Sequence, residues 1–291
     1  MCKVFAIEPV PYLSITSYYL KWKVQMYRPA LFLFLFLFKI TVAAQVVQVD
    51  FKETGFLFSA APTFTFLWPS NAAKATLIFL PGGEGRIGLT EDRKNLGGLY
   101  GNTLRPLSDS TLTHGFFNVV VFDSPVNLPV GNDYPYSRQS NEHLLRIESV
   151  AKYYKDKFGL PVWIMGHSNG AVSITEFYKF LQKNKREDLV SGAVYSSARN
   201  GAQFNDQTQL PILFLAHERD GCNKSPPQQS RKVFEQQQLT NHAKLKYILI
   251  KGGQEEIQNP CYSGFHMFYG ASMEAYTAID QFFFETMKWL F

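Results

Sequence analysis

Short hydrophobic runs recur along residues 45–291, and each one is bounded by polar or turn-forming residues. The runs occupy residues 75–80, 116–122, 161–165, 189–195, 210–216 and 245–250. Continuous apolar runs of this length are typical of parallel strands that are covered on both faces. The pattern therefore predicts a parallel β-sheet buried between two layers of helices.

Segments with a helical period separate these runs. They occupy residues 141–158, 171–183, 230–239 and 271–290. In the first segment, Leu144, Ile147, Ala151 and Tyr154 recur at spacings of three and four, which places one apolar stripe against a sheet. Alternating strands and helices predict an α/β fold with a doubly wound, mostly parallel sheet. Its functional loops are expected at the carboxyl ends of the strands.

The pattern before residue 75 is different. Residues 46–51 and 56–68 alternate apolar and polar positions, with Gly55 between them, which predicts an antiparallel hairpin at an edge of the sheet. No internal repeat and no linker rich in Pro, Gly or Ser divides residues 45–291. These residues are therefore expected to form a single domain, of a size that one large α/β core can reach.

The first 44 residues resemble an export signal. Residues 30–38 are an unbroken apolar run, which Lys39 and the small residues Ala43 and Ala44 follow. The run is shorter than the roughly 20 residues that span a bilayer, so it predicts a leader over residues 1–44 that is cleaved after Ala44. Met26 is an alternative start of translation, and an uncleaved membrane anchor is an alternative interpretation of the run. The protein is expected to be periplasmic or secreted.

Positive and negative charges are nearly balanced in the chain outside this leader. The leader holds five of the 29 Lys and Arg residues and one of the 24 Asp and Glu residues, so the remaining chain has a net charge of only +1. No basic stripe indicates nucleic acid as a partner, and no membrane association is expected after the leader is removed.

The strongest chemical signal is the motif Gly166-His167-Ser168-Asn169-Gly170. It follows the predicted strand 161–165 and precedes the predicted helix 171–183. In a G-x-S-x-G turn between strand and helix, the serine Oγ projects above the sheet, and we expect the flanking glycines to permit strained backbone angles. The pattern by itself is weak, and a turn with an idle serine is the alternative. Its position between strand and helix favours a nucleophile.

At this point the chain resembles the α/β-hydrolase family, and the resemblance covers residues 45–291. The resemblance implies that an acid and then a histidine follow the nucleophile along the chain, the acid usually after the next-but-one strand. Asp220 lies in the turn after the predicted strand 210–216. It is therefore the expected acid.

Three other carboxylates compete with Asp220. Asp206 follows the preceding strand, in a loop that some family members use, and it is the next candidate. Glu218 comes two residues too early in its turn, and Asp123 ends a strand before the nucleophile has appeared.

The family resemblance places the histidine in a loop after the last strand. His266 is the only histidine after the predicted strand 245–250, so it is the expected general base. The remaining histidines of residues 45–291 are expected to be structural or solvated, and His167 is the variable residue of the motif. Asp220 would then hold the Nδ1 proton of His266, and His266 would take the proton of the Ser168 hydroxyl.

A tetrahedral oxyanion needs two N–H donors. The first is expected to be the N–H of Asn169, the residue after the nucleophile. The second is expected from the glycine-rich loop 81–85, which is similar to the HGGG-type loops of esterases but has Pro81 in place of histidine. Gly83 and Glu84 both remain candidates for this donor.

Two cysteines lie outside the leader, which contains Cys2. Cys222 follows Asp220 by two residues, and Cys261 precedes His266 by five. If acid and base meet, their loops converge, so an oxidising compartment favours a Cys222–Cys261 disulfide over two free thiols. Small exported bacterial α/β hydrolases with a cysteine near the acid and one near the histidine are the group that the chain resembles most.

The sequence therefore predicts a serine hydrolase that cleaves a carboxylic ester, or a related acyl bond, of a small molecule. Alternatives are a thioesterase, amidase or peptidase with the same triad, and a binding protein that kept the fold without activity. The short segment after Tyr195 leaves little room for a large helical lid. No motif with metal-ligand spacing is present, so neither a metal nor another cofactor is expected.

Overall fold

A computed structural model describes residues 43–51, 61–125, 137–255 and 258–288. The predicted leader lies outside the described residues except for Ala43 and Ala44, and so does the predicted turn at Gly55. No helix in the described ranges is long and apolar enough to cross a membrane.

Eight strands form one sheet. They are β1 (Gln45–Val49), β2 (Thr63–Trp68), β3 (Ala75–Leu80), β4 (Phe117–Asp123), β5 (Val162–His167), β6 (Gly192–Ser196), β7 (Ile212–His217) and β8 (Leu245–Ile250), in the spatial order β1-β2-β4-β3-β5-β6-β7-β8. The pairs β1–β2 and β2–β4 are antiparallel, and every other pair is parallel. The predicted mostly parallel sheet with an antiparallel N-terminal start is confirmed.

Four long helices of the described chain pack on this sheet. They are α1 (Asn141–Phe158), α2 (Asn169–Lys183), α3 (Pro227–Thr240) and α4 (Ser272–Met287). Apolar residues of α1, α2 and α3 share one buried cluster with Ile78 and Leu80 of β3. Apolar residues of α4 share the opposite cluster with Leu77 and Phe79. Successive residues of one strand therefore serve two cores, which explains the continuous apolar runs.

Local signals set the ends of α1. The side chain of Ser140 accepts a hydrogen bond from the His143 N–H at the start of the helix, and Gly159 ends it in the left-handed region at φ 63°. A residue without a Cβ adopts that conformation at little cost. The periodic apolar stripe and both caps lie in the local sequence, which is why the predicted bounds 141–158 match the structure.

Other boundaries differ from the prediction. The run 189–195 contains only part of a strand, because Glu187–Leu189 form a 3-10 turn and β6 begins at Gly192. The helix predicted at 230–239 begins earlier, at Pro227. Proline is favoured in the first turn of a helix because its missing N–H would have no partner there. The described residues 197–211, between β6 and β7, contain no helix.

Candidate active site

Ser168 occupies the sharp turn between β5 and α2. β5 continues through His167 and α2 begins at Asn169, so the predicted bounds of strand and helix were each short by two residues. Ser168 alone makes the turn, at φ 54° and ψ −119°. A residue with a side chain held at such angles stores roughly 1–3 kcal/mol of strain, a feature common at active sites.

The glycines of the motif have a different role from the one predicted. Neither Gly166 nor Gly170 has a positive φ, since the strained residue is Ser168 itself. A Cβ on Gly170 would lie 1.9 Å from the carbonyl oxygen of Leu80, and one on Gly166 would lie 2.2 Å from that of Gly170. Both glycines therefore let strand β3, strand β5 and helix α2 approach each other closely.

Asp220 and His266 form a buried pair. The Nδ1 atom of His266 lies 2.8 Å from Oδ2 of Asp220, and both side chains are fully buried. The other carboxylate oxygen of Asp220 accepts a hydrogen bond of 2.9 Å from the backbone N–H of Cys222. With Nδ1 donating to the carboxylate, Nε2 of the neutral imidazole is the atom that accepts a proton.

Ser168 and His266 line one cavity. Nε2 of His266 is buried and makes no hydrogen bond with any described residue. In hydrolases without substrate, the bond between nucleophile and base is often long and tightens only when substrate binds. The structure thus brings the predicted nucleophile and base to one cavity, with the predicted acid hydrogen-bonded to the base behind it.

The competing carboxylates have other surroundings, and none of the three hydrogen-bonds to His266. Asp206 and Glu218 are exposed. Asp123 is buried and accepts hydrogen bonds from the backbone N–H groups of Ile87 at 2.5 Å and Leu89 at 2.7 Å. Asp123 therefore organises the turn after β3.

The glycine-rich loop after β3 closes over the nucleophile. The predicted donors Gly83, Glu84 and Asn169 all line the cavity together with Ser168. The N–H groups of Gly83 and Glu84 make no hydrogen bond with a described residue. Gly82, which the sequence analysis did not single out, approaches most closely, because a Cβ on it would lie 2.9 Å from Cβ of Ser168.

Arg138 hydrogen-bonds to this loop, and the sequence pattern did not identify it. Its guanidinium is buried and donates hydrogen bonds to the carbonyl oxygens of Pro81 at 3.2 Å and Gly83 at 2.9 Å, and to Oγ of Ser173 at 2.7 Å. Burial, assisted by the nearby charge of Arg199, lowers the pKa of Arg138 to about 9. Its contacts are distant in sequence, so no local pattern identifies it.

Arg199 was also missed, and it connects to the same loop through Asn169. Its Nη1 donates to Oδ1 of Asn169 at 2.9 Å, and Nδ2 of Asn169 donates to the carbonyl oxygen of Gly83 at 2.9 Å. The backbone N–H of Arg199 also donates to the carbonyl oxygen of Ser168 at 3.3 Å. These bonds join the loop after β6 to the nucleophile and to the loop after β3.

Two further histidines, His167 and His217, pack around the segment that carries His266. The ring of His167 lies 4.8 Å from that of His266, and burial, assisted by the charge of His266, lowers the pKa of His167, so it stays neutral. His217 stacks on Phe265, and its Nε2 bonds to the carbonyl oxygen of Gly252 at 2.8 Å. His217 therefore supports the segment that carries His266.

The disulfide Cys222–Cys261 is present and lies at the cavity. It joins the loop that follows β7 and carries Asp220 to the loop that follows β8 and carries His266. The bridge thus covalently connects the two segments that position the acid and the base.

The cavity has a volume of about 490 Å³, which suits a small molecule. Apolar and aromatic residues that line it include Phe79, Leu99, Tyr100, Tyr262 and Met267. Among the described residues, the acidic and basic side chains that line it, apart from histidines, are Arg86, Arg199, Lys224 and Glu84. The part of the chain that the structure describes contains no group of His, Cys, Asp and Glu residues arranged to hold a metal ion.

Comparison with other proteins gives matches at the level of structure. No protein-family model and no curated protein sequence matches the chain. A lidless α/β serine hydrolase from Xanthomonas campestris aligns with 84% of this chain and 95% of its own, at 13% identity and a TM-score of 0.53. An esterase from Pyrococcus furiosus aligns with 84% of this chain and 93% of its own, at 14% identity and a TM-score of 0.52.

Dienelactone hydrolase from Anabaena variabilis also matches, over 84% of this chain and 99% of its own, at 14% identity and a TM-score of 0.51. At such identities the likeness concerns the fold. Together with the strand order, the antiparallel start and a serine in the turn between β5 and α2, these matches show that the chain has the α/β-hydrolase fold.

Proposed function

We propose that the protein is a serine hydrolase that cleaves carboxylic esters or closely related acyl bonds. Ser168 is the nucleophile, His266 the general base and Asp220 the residue that orients the base. One observation carries the proposal: a strained, partly exposed serine shares a cavity with a fully buried histidine–carboxylate pair. A hydrolytic activity also agrees with the esterases and hydrolases of the same fold.

In the proposed reaction, Oγ of Ser168 attacks the carbonyl carbon of the substrate while Nε2 of His266 takes the hydroxyl proton. Asp220 stabilises the imidazolium that forms. The N–H of Asn169 and the N–H of Gly83 or Glu84 stabilise the oxyanion. The intermediate then collapses, the alcohol leaves with the proton from His266, and water hydrolyses the acyl-enzyme by the same steps.

Esters are favoured over amides because an alcohol is a better leaving group than an amine. Thioesters and amides react by the same steps, so substrate comparison has to separate them. The second class of function is a binding protein that lacks turnover. The filled triad positions and the strain at Ser168 favour an enzyme, because strain of this kind is retained where it serves chemistry.

Labelling with a fluorophosphonate probe tests the proposal. We expect the folded protein to be labelled at Ser168, and neither heat-denatured protein nor Ser168→Ala to be labelled. Ser168→Ala should also lose hydrolysis of short-chain nitrophenyl esters, because no other hydroxyl lies in this turn. Ser110→Ala, which removes an exposed hydroxyl elsewhere, is the matched control and should behave like the natural protein. Unchanged turnover by Ser168→Ala would refute the assignment of the nucleophile.

We also propose that the protein is exported and loses residues 1–44. The disulfide supports this proposal, since such bridges persist mainly in oxidising compartments. N-terminal sequencing of exported protein should begin at Gln45, the first residue of β1. An exported chain that still contains residues 31–38 would instead support a membrane anchor.

A further inference from the structure

The positive charge of the cavity indicates the class of ester that it binds. We propose that the substrate carries a second group, a negatively charged carboxylate, which the side chains of Arg199 and Lys224 bind beside Ser168. This inference rests on the proposed function, and it narrows the substrate from esters in general to esters of small anionic molecules.

Among the described residues, cations outnumber carboxylates on the cavity wall. Arg86, Arg199 and Lys224 line it, and Glu84 is the one described carboxylate there. Neither Arg86 nor Lys224 forms a salt bridge with a described residue. The net charge of residues 45–291 is only +1, so the excess of cations among the described lining residues is local to this cavity and does not reflect the chain as a whole.

The segments that carry two of these cations are joined by a backbone hydrogen bond, and one of the cations contacts the residue after Ser168. Asn200, the neighbour of Arg199, donates its backbone N–H to the carbonyl oxygen of Lys224 at 2.8 Å. The Arg199 guanidinium is directed towards the nucleophile turn by its bond to Oδ1 of Asn169. The disulfide at Cys222 fixes the segment that carries Lys224. The fold thus sets the guanidinium of Arg199 and the backbone of Lys224 before substrate binds, which favours specific recognition.

Arg138 strengthens the positive potential at the same place. The groups that accept its hydrogen bonds are neutral oxygens, namely two backbone carbonyls and the Ser173 hydroxyl, and it forms no salt bridge with a described residue. Burial, followed by the charge of Arg199, lowers the pKa of Arg138, in agreement with two guanidinium groups of like charge near each other. An anion placed near Arg199 would offset part of this unfavourable interaction.

The remainder of the cavity sets the size and shape of the substrate. Phe79, Leu99, Tyr100 and Met267 form an apolar wall in a cavity of about 490 Å³. Burial, followed by the charge of Asp123, raises the pKa of Tyr100 to about 12, so its hydroxyl keeps its proton. A short hydrocarbon or aryl group fits this wall. The expected substrate is therefore a small ester with one apolar part and one carboxylate.

Two matched pairs of substrates test the inference. Monophenyl adipate is compared with the ester in which its free carboxylate is an amide, and para-carboxyphenyl butyrate is compared with para-carbamoylphenyl butyrate. The first pair places the charge on the acyl part and the second on the leaving group. In at least one pair, we expect kcat/KM for the anionic ester to exceed that of its neutral partner by about fivefold or more at low salt. The ratio should fall as salt is added.

Substitutions identify the side chains that cause the preference for the anionic ester. Lys224→Gln should lower the ratio of anionic to neutral kcat/KM towards one, and Arg199→Gln should do the same. Lys232→Gln removes an equal charge from an exposed position on α3 and should leave the ratio unchanged. A ratio of one in both pairs for the natural protein, or an equal ratio in Lys224→Gln, overturns the inference even if Ser168 is confirmed as the nucleophile.

Ligand binding to an inactive variant tests the carboxylate site independently of the proposed hydrolysis. Adipate and adipamide are titrated into Ser168→Ala, in which turnover plays no part. Tighter binding of adipate, lost in the double variant with Lys224→Gln, supports the carboxylate site even if no ester is hydrolysed. Equal binding of the two overturns it. Inorganic phosphate is the third ligand, and binding of phosphate without adipate would overturn the assignment of a carboxylate.

Discussion

At the scale of single residues, the candidate site depends on how Asp220 is held. Its carboxylate is fully buried, and a buried charge is tolerated only where donors surround it. Here His266 Nδ1 contacts one oxygen and the Cys222 N–H donates to the other. The carboxylate therefore has one orientation, and it imposes one tautomer and one ring position on His266.

Replacing this carboxylate with an amide should disable the base while keeping its volume. We expect Asp220→Asn to lower kcat for short-chain esters by roughly 10³–10⁴-fold, because the amide no longer favours the Nδ1–H tautomer of His266. KM should change little. Asp206→Asn is the control, since Asp206 is exposed, and its kcat should stay within a factor of about two. The opposite ranking of the two variants would assign the acid to the loop after β6.

At the scale of elements, the close contact of β3 with α2 is what positions Ser168. Gly170, in the first turn of α2, lies against the end of β3, and Gly82 in the following loop lies against Ser168. The helix therefore begins directly at the sheet, and its free N–H groups are directed at the cavity. Arg138 stabilises the loop after β3 by donating hydrogen bonds to the carbonyl oxygens of Pro81 and Gly83.

One methyl group at Gly170 should disturb this contact. In Gly170→Ala the new Cβ has no room, because the Leu80 carbonyl oxygen lies 1.9 Å from its position, so β3 or α2 must move. We expect the free energy of unfolding to fall by about 1–3 kcal/mol or more, and turnover to fall with it. Urea denaturation and ester hydrolysis measure the two effects.

Gly97→Ala is the matched control, because a Cβ on Gly97 meets no atom within 4 Å. Its stability should stay within about 0.5 kcal/mol of the natural protein. Equal stabilities for the two variants would show that the backbone at Gly170 has space that the structure does not indicate.

At the scale of the whole molecule, the disulfide joins parts of the chain that are 39 residues apart in sequence. A bridge over such a loop restricts the unfolded chain by about 4 kcal/mol on the loop-entropy model. Cys222→Ser combined with Cys261→Ser should therefore lower the free energy of unfolding by roughly 2–4 kcal/mol. Turnover should decrease too, because the loops of Asp220 and His266 are no longer tied together.

The presence of the bridge is measured separately by alkylating unfolded protein without reductant and mapping its peptides. Peptides that contain Cys222 and Cys261 should remain joined and unlabelled, and both should take label after reduction. Labelling of both cysteines before reduction would contradict the bridge. A fully active double serine variant would show that the bridge does not organise the site.

Buried neutral histidines make the stability of the whole fold depend on pH. Burial, followed by the charges of Arg138 and Arg146, lowers the pKa of His143 to about 3, whereas an unfolded chain has a histidine pKa of about 6.5. Between these values the unfolded state binds the extra proton. The contribution is therefore complete above pH 6.5 and is lost as the pH falls towards 3, with a slope approaching about 1.4 kcal/mol per pH unit.

Urea denaturation at several pH values between 7 and 4 tests this dependence. The natural protein should lose stability more steeply on acidification than His143→Gln, which has no imidazole to protonate. The two slopes should differ by up to about 1.4 kcal/mol per pH unit, which is the value for the binding of one proton. Parallel curves for the two proteins would mean that His143 has the same pKa in the folded and unfolded states, so that burial does not lower it.

The fold was predictable from sequence because its signals are local. Continuous apolar runs mark buried parallel strands, and the stripe on residues 141–158, with Ser140 before it and Gly159 after it, marks α1. Each signal depends on neighbours within a few positions. The boundaries that failed, at β6 and at the two ends of the Ser168 turn, depend on which backbone groups pair across the sheet.

The candidate site also contains residues that the sequence identified and residues that only the structure revealed. A serine between two glycines was identifiable by its motif, and an acid after β7 and a histidine after β8 by the chain order that the resemblance to the α/β-hydrolase family implies. The sequence by itself thus determined the fold class and the candidate nucleophile, base and acid. Only the tertiary structure decided that Gly170 is needed for close approach, that Arg138 supports the loop over Ser168, and that Arg199 and Lys224 line the cavity. Those roles arise from contacts between distant segments, and no local pattern of residues encodes them.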